Sequence, residues 1–414
     1  MQDESTSQRR AKLRSNLPKL HVLSILGGAL LLAPVLVPFF QDYGLSLSEI
    51  LWLQACFGLA VAILEVPSGY FSDVVGRRPA LVIGSVGLTL GFAVFAIADG
   101  FWSLLIGELV LAVGWSFISG TSSALTYDTL AELEEVERYA PIFGRQRSYA
   151  NFAEAAASIV GAAIAVLSIR LPALAQIVIY APTILLALSL TEPERKRFSS
   201  PAGPVAGIRQ IILEALALRR EVRALIVLSA VIATSSLTMA WLSQPWLSAA
   251  DVPLVAFGVI WAGLRITVGV SALFASRLEA QLGFNRSVAV VIAVLIGGFS
   301  LCAWQQVPWL IPALASFSFV RGISMVLFSE AINRQTGSDR RATVLSLESL
   351  ICRLLFAPLA PLVGWIADAY SLSTAIALSG ALFGTGAILI QRCLAVPART
   401  RNLPELATSP SAQI

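Results

Sequence analysis

Gly69-Tyr70-Phe71-Ser72-Asp73-Val74-Val75-Gly76-Arg77-Arg78-Pro79 is a short polar, basic turn between two long apolar runs, 47–70 and 80–98. Each run is about as long as an α-helix must be to cross ~30 Å of hydrocarbon. No water inside a bilayer can satisfy free backbone groups, so such runs are read as helices, and the turn between them as a hairpin at the membrane boundary.

Working outward, the same alternation fills the chain. Of 414 residues 57% are hydrophobic and only 13% charged, and the mean hydropathy is +0.78. This composition excludes an ordinary soluble globular protein and defines an integral membrane protein. Twelve apolar segments are expected: 21–40, 47–70, 80–98, 101–125, 149–169 and 171–190, then 222–247, 253–275, 287–304, 308–328, 342–367 and 372–394. The first follows a polar, basic arm, and no small-residue cleavage site succeeds it, so it is expected to stay as a membrane helix. The four cysteines, Cys56, Cys302, Cys352 and Cys393, stand singly in or at the end of apolar segments and read as small apolar residues. The only histidine, His21, reads as an interfacial anchor, and no metal cluster or cofactor site is expected.

The basic residues follow the membrane boundaries instead of gathering with aromatics on a polar face, which argues against nucleic acid as a partner of this net +4 chain. With the twelve segments in place, 25 of the 29 Lys and Arg fall on the side of the N-terminal arm, one, Arg170, on the other, and three inside helices. That asymmetry predicts a multi-pass protein of the cytoplasmic (inner) membrane with both termini in the cytoplasm.

The apolar pattern breaks once for longer, at Glu192-Pro193-Glu194-Arg195-Lys196-Arg197 and the Pro/Gly/Ser segment behind it. This divides the chain into an N-terminal six-helix half with its arm (1–190), a linker (191–221) and a C-terminal six-helix half with its tail (222–414). Within the linker, Ile208, Ile211, Ile212, Ala215, Leu216 and Leu218 recur at near-helical spacing opposite Arg209, Glu214 and Arg219. They suit either a surface-lying amphipathic helix or a plain tether.

The turn from Gly69 to Pro79 resembles the loop after the second helix in the major facilitator superfamily: glycine, three residues, aspartate, two residues, glycine, arginine, then arginine or lysine. Gly69, Asp73, Gly76, Arg77 and Arg78 fill that pattern. The resemblance implies an all-α fold of twelve transmembrane helices in two six-helix halves, and a transporter in place of an enzyme. It implies a conformational latch, in which Asp73 meets the N-terminal end of the eleventh helix, near 341–346, with Arg77 and Asp128 in the accompanying charge network. A static loop fold is the competing reading. If the halves are parallel repeats, the turn should recur after the eighth helix. The echo from Ser276 to Arg286 is degraded: aligning Gly283 on Gly76 places Ala280 at the aspartate position. Segments 120–130 and 341–346 look like a bacterial subgroup of mostly unassigned substrate. Many proton-coupled drug exporters carry an arginine in the fourth helix; the nearest equivalent here is Glu108.

Charges at mid-bilayer are expensive and should face a cavity or a partner. Glu65, Glu108 and Glu154 fall in the first half, and Arg265, Arg321, Arg353 and Glu348 in the second. In one reading Arg265, Arg321 and Arg353 face an anionic or zwitterionic substrate while Glu108 or Glu154 gains and loses a proton. In the other the same residues form ion pairs that hold helices in register, with cross-helix partners for Glu348 and Arg353. Glu65 and Glu330 lie nearer the cytoplasmic ends, where structural pairing is expected. Small residues at 153–163 and at Gly258, Gly263 and Gly269 permit close helix contact, and Pro34, Pro38, Pro358 and Pro361 offer bending points. The expectation is a monomeric secondary transporter moving a small organic solute by alternating access, with proton-coupled export first, uptake of an anionic metabolite second, and a non-transporting receptor or scaffold as the reading from another class.

Overall fold

The computed structural model describes residues 2–194, 219–335 and 341–394, and the amphipathic segment foreseen at 208–218 lies outside them. All regular structure among the described residues is helical. The first half comprises α1 (Gln2–Arg14), α2 (Asn16–Gly28), α3 (Leu36–Asp42), α4 (Leu47–Val74), α5 (Arg77–Ala96), α6 (Phe101–Ile118), α7 (Thr121–Glu132), α8 (Tyr139–Ala165) and α9 (Leu171–Leu188). The second comprises α10 (Arg220–Ala249), α11 (Leu254–Leu282), α12 (Phe284–Trp304), α13 (Ile311–Gln335), α14 (Arg341–Ala369) and α15 (Leu372–Cys393).

Eleven stretches among the described residues are long and apolar enough to cross a membrane. The fifth crossing, α8, is long enough at 27 residues but opens on Arg145 and Arg147 and carries Glu154, which dilute its hydropathy. It packs on α2 and α11 like its neighbours and brings the crossings to twelve. Trp52, Ile63, Leu90, Ile106 and Leu273 are among many large apolar side chains left exposed, a surface that suits lipid and not water.

Two crossings are not single helices. The first leaves the helical path after Gly28, turns through a 3-10 segment at Ala33–Val35 that contains Pro34, and resumes as α3. Proline has no N–H to donate, so a break here leaves buried backbone groups in need of partners. Two buried glutamines supply them. Gln176 of α9 accepts from the Leu31 N–H at 2.8 Å and donates to the Ala29 carbonyl at 2.8 Å. Gln244 of α10 accepts from the Val37 N–H at 2.8 Å and donates to the Ala33 carbonyl at 2.9 Å, inserting its amide into one rung of the helical ladder. The fourth crossing breaks into α6 and α7 at Gly120, whose φ of 76° favours glycine. By contrast, α14 runs through Pro358 and Pro361 as one helix.

Within the first half α5 packs on α6 and α9, and α4 on α6; within the second α11 packs on α13, α12 on α15, and α10 on α13 and α14. Between halves the main contacts are α4 with α14 and α8 with α11. Glycine permits the closest of these. A Cβ on Gly258 would stand 2.3 Å from the Ser158 carbonyl oxygen, and one on Gly364 2.6 Å from the Ser48 Cα. Gly263 and Gly269 have open space at the same position and play no such part.

Candidate functional site

The turn after α4 is tied to its own half by charge. Gly76 has φ 151°, a conformation that side-chain-bearing residues rarely adopt, and its counterpart Gly283 after α11 has φ 77°. The degraded echo therefore keeps a glycine at positive φ while losing the carboxylate. Arg77 Nη1 lies 2.5 Å from Asp73 Oδ1, and its Nε lies 3.1 Å from Asp128 Oδ2. Glu192 accepts from the Arg77 and Arg78 N–H groups at 2.8 and 2.7 Å, capping α5 with both oxygens. Arg78 donates to the Leu188 carbonyl at 2.6 Å. Nothing crowds Gly69, which lies inside α4. The N-terminal arm docks beside this cluster. Arg9 pairs with Glu132 at 2.5 Å and Arg14 with Glu135 at 2.9 Å, and buried Asn16 bonds Thr129 and both backbone groups of Thr191. Arg138, then Arg14, hold the Glu135 carboxyl below its ordinary range by hydrogen bonding.

The intramembrane charges divide into paired and unpaired. Arg265 of α11 donates to Glu154 of α8 at 2.6 Å, an ion pair that crosses between the halves. Glu154 is 8% exposed. Glu348 accepts from the Ser229 hydroxyl of α10, a cross-helix partner within its own half. Glu330 pairs with Arg334, which also reaches Glu279. Glu108, 4% exposed, accepts from the Gln54 amide at 2.6 Å and has no cation beside it among the described residues. Arg321 and Arg353 form no ion pair among the described residues, and the buried Arg353 Nε has no hydrogen-bond partner. Arg321 lies within Coulombic reach of Arg265 and Glu154.

Arg265 and Arg321 line one cavity of about 60 Å³ together with Ser236, Met239, Trp261 and Phe317. The Ser236 hydroxyl and the Trp261 indole nitrogen there are buried without partners among the described residues. An organic solute needs roughly 300 Å³ or more, so in this conformation the space admits water alone. A larger cleft of about 510 Å³ lies farther along α13, lined by Met325, Val326, Ser329, Glu330, Asn333 and Arg334. Gln176, Gln244, Glu192 and Asp368 were not singled out by sequence. The first two carried a usable signal, an amide in an apolar helix that must find a partner.

Two bundles of six crossings, joined along α4/α14 and α8/α11, with a cavity lined by Arg265 and Arg321 of the second bundle, define a polytopic membrane transporter fold. The chain belongs to the Major Facilitator Superfamily, whose family model matches residues 20–355. It is 24% identical to the class G tetracycline resistance protein of Vibrio anguillarum over 355 residues, 83% of this chain and 86% of that protein. Identity to the class E tetracycline resistance protein of Escherichia coli is 27% over 132 residues, 32% of this chain and 30% of that relative. The match to the class D protein of Salmonella ordonez covers 38% of its length, so these two alignments span about a third of the relatives. Among solved structures the nucleoside transporter NupG superposes with a TM-score of 0.74 at 14% identity, covering 92% of this chain and 98% of that one. A bacterial homologue of the human lysosomal transporter Spinster gives 0.67 at 16% identity, covering 94% and 95%.

Proposed function

We propose that the chain exports a small organic solute across the inner membrane in exchange for protons, by alternating access, with both termini in the cytoplasm. The observation that carries the reading is the Arg265–Glu154 ion pair, which joins the halves beside a cavity holding the unpaired Arg321. Parting the halves breaks that pair and frees Arg265, which lines the cavity, and a carboxylate that loses its arginine becomes a proton acceptor. Glu108, held by a neutral amide alone, is the second proton-carrying group. The likeness to tetracycline resistance proteins supports export, because removing an antibiotic confers resistance to it. In this scheme Asp73, with Arg77, Arg78 and Asp128, forms the cytoplasmic latch against the end of α14, and Gly69 and Gly76 shape the turn that presents it.

A second reading, uptake of an anionic metabolite, is favoured by the lack of carboxylate partners for Arg321 and Arg353 among the described residues. Two guanidiniums carried on membrane-spanning helices need a counter-charge, and a solute carboxylate would supply it. Protonation of Glu154 would free Arg265 for the same anion, so proton and solute would bind together and move in one direction.

Proteoliposomes holding the protein and a pH dye, offered tetracycline, uridine or benzoate under an imposed pH gradient, separate the two. Export by exchange requires proton and solute fluxes of opposite direction; uptake requires parallel fluxes and a preference for the carboxylate. Arg321→Ala and Glu108→Gln should each lower the coupled flux at least tenfold. Solute movement indifferent to the gradient removes proton coupling, and unchanged transport in both variants removes the proposed site.

A further inference from the structure

The N-terminal end of α4 lies at the end of the bundle away from Arg77. The first N–H groups of any helix have no partner inside it. Here every one of them is met. The Ser46 N–H donates to Glu49 Oε2 at 2.8 Å, and the Glu49 N–H to Ser46 Oγ at 3.3 Å, a capping box within the half. The Leu47 N–H donates to Asp368 Oδ1 at 3.1 Å, and the Ser48 N–H to Asp368 Oδ2 at 2.7 Å. Asp368 belongs to the other half. It sits one residue before the C-terminal end of α14, where its own helix dipole disfavours a negative charge and the N-terminal end of α4 favours it. One turn earlier Gly364 touches α4 at backbone level, with no room for a Cβ beside Ser48 Cα at 2.6 Å and Leu47 O at 2.8 Å.

We propose that Asp368 is a positioning residue for transport, the latch of the gate at the end opposite the basic loops. Its carboxylate holds the halves shut there, and it must release Leu47 and Ser48 for the cavity to open on that side. The proposal rests on the alternating-access reading above. Glu192, at the start of the linker, makes the same two-oxygen grip on Arg77 and Arg78, both of the first half, so rocking of the halves leaves it intact. Of these two grips, the one made by Asp368 spans parts that move relative to each other. Asp368 lies exposed at the rim of the seam, so on release its carboxylate and the two N–H groups are taken up by water. The latch is therefore made or broken as a unit and biases a two-state equilibrium.

The test places a reporter cysteine at Ser236, in the cavity, in a chain whose four native cysteines are replaced, and measures labelling by a membrane-impermeant maleimide added to the side opposite the termini. Asp368→Asn keeps the side chain's shape but turns one acceptor toward a donor. It should raise labelling from that side roughly two- to fivefold, the range for an exposed charge at a helix end. Gly364→Ala, which wedges the same contact without touching the carboxylate, should shift labelling the same way and stands in if the first variant folds poorly. Glu49→Gln weakens the cap of α4 from within its own half and should leave labelling unchanged. The latch is overturned if Asp368→Asn and Gly364→Ala leave far-side labelling at the parent level, or if Glu49→Gln raises it as much, since a frayed helix end would then explain the result. A parent labelled from both sides, with an unaltered ratio in the variants, removes the latch alone. A reporter that no variant exposes on the far side removes alternating access with it.

Discussion

Replacing Gln244 by Leu removes both hydrogen bonds that repair the first crossing while keeping the side chain's bulk. Gln244 is 2% exposed, and its bonds to the Val37 N–H and the Ala33 carbonyl are short, at 2.8 and 2.9 Å. Each backbone group left unpaired in a dry site costs about 1–3 kcal/mol, so Gln244→Leu, which strands two, should destabilise the protein by about 2–6 kcal/mol. Gln244→Ala should cost less, because the vacated polar space holds a water molecule, about 30 Å³ in the liquid, that can bridge the same two groups. The order Leu worse than Ala reverses what side-chain size alone would give. Gln176→Leu repeats the local loss at Leu31 and Ala29 inside one half. It should match Gln244→Leu in stability but leave the equilibrium between the halves alone. Reversible unfolding in mixed micelles, followed by tryptophan fluorescence, measures the stabilities. Hydrogen bonds between membrane helices average only about 0.6 kcal/mol when the unfolded state finds other partners. A loss below about 1 kcal/mol for Gln244→Leu, or Ala worse than Leu, would refute the claim that these amides serve as surrogate backbone.

Gly161→Ala would place a Cβ 1.8 Å from the Leu31 carbonyl oxygen and 2.6 Å from its carbon, both backbone atoms of the broken segment. It should abolish folding or cost several kcal/mol in the same assay, whereas Gly263→Ala, with open space around it, should be neutral. Docking of the N-terminal arm should survive mild acid. The Glu135 carboxyl is held below its ordinary range by Arg138 and Arg14, so its contribution is complete above the unfolded pKa of about 4.3 and fades only as pH falls through the lower folded value. A spin label at Ser7 should stay immobile down to about pH 4.5; mobility rising steadily from about pH 6 would contradict this.

The fold was legible because the bilayer leaves little choice. A run near twenty apolar residues can only be a helix, and the arginines beside Gly76 and along the other loops count the crossings independently. Even α8, whose polar opening hides it from a hydropathy criterion, was betrayed by its apolar second half. The break at 29–35 was half legible: Pro34 marked a weak point, but nothing in its neighbourhood revealed that Gln176 and Gln244, far away in sequence, complete its backbone. Glu154 and Arg265 stood out as buried charges, yet their pairing depends on the register of α8 against α11, which the sequence does not encode locally. Asp368 left no mark at all, since a carboxylate at the end of an apolar run looks like any boundary residue. Its meaning lies in the N-terminal end that α4 happens to present to it.

The bonds inside each half differ in kind from the polar bonds between them. Inside, aromatic clusters such as Phe39, Phe40, Phe92, Phe95 and Tyr180 in the first half and Phe299, Phe317 and Phe383 in the second interlock edge to face, tilted or stacked. Separating such rings exposes apolar area at about 25 cal/mol per Å², and entering water returns nothing. Across the seam, the Glu154–Arg265 pair, the Asp368 grip and the Gln244 bridge are all polar, backed by glycines at 258 and 364 that keep the contact thin. Hydrogen bonds exchanged for water cost only about 0.5–1.5 kcal/mol each. These polar contacts can part and reclose for a few kcal/mol while the ring clusters inside each half stay together. That is the condition the proposed rocking of the halves requires, and the reason substitutions at the polar seam should change access while those in the ring clusters should change folding.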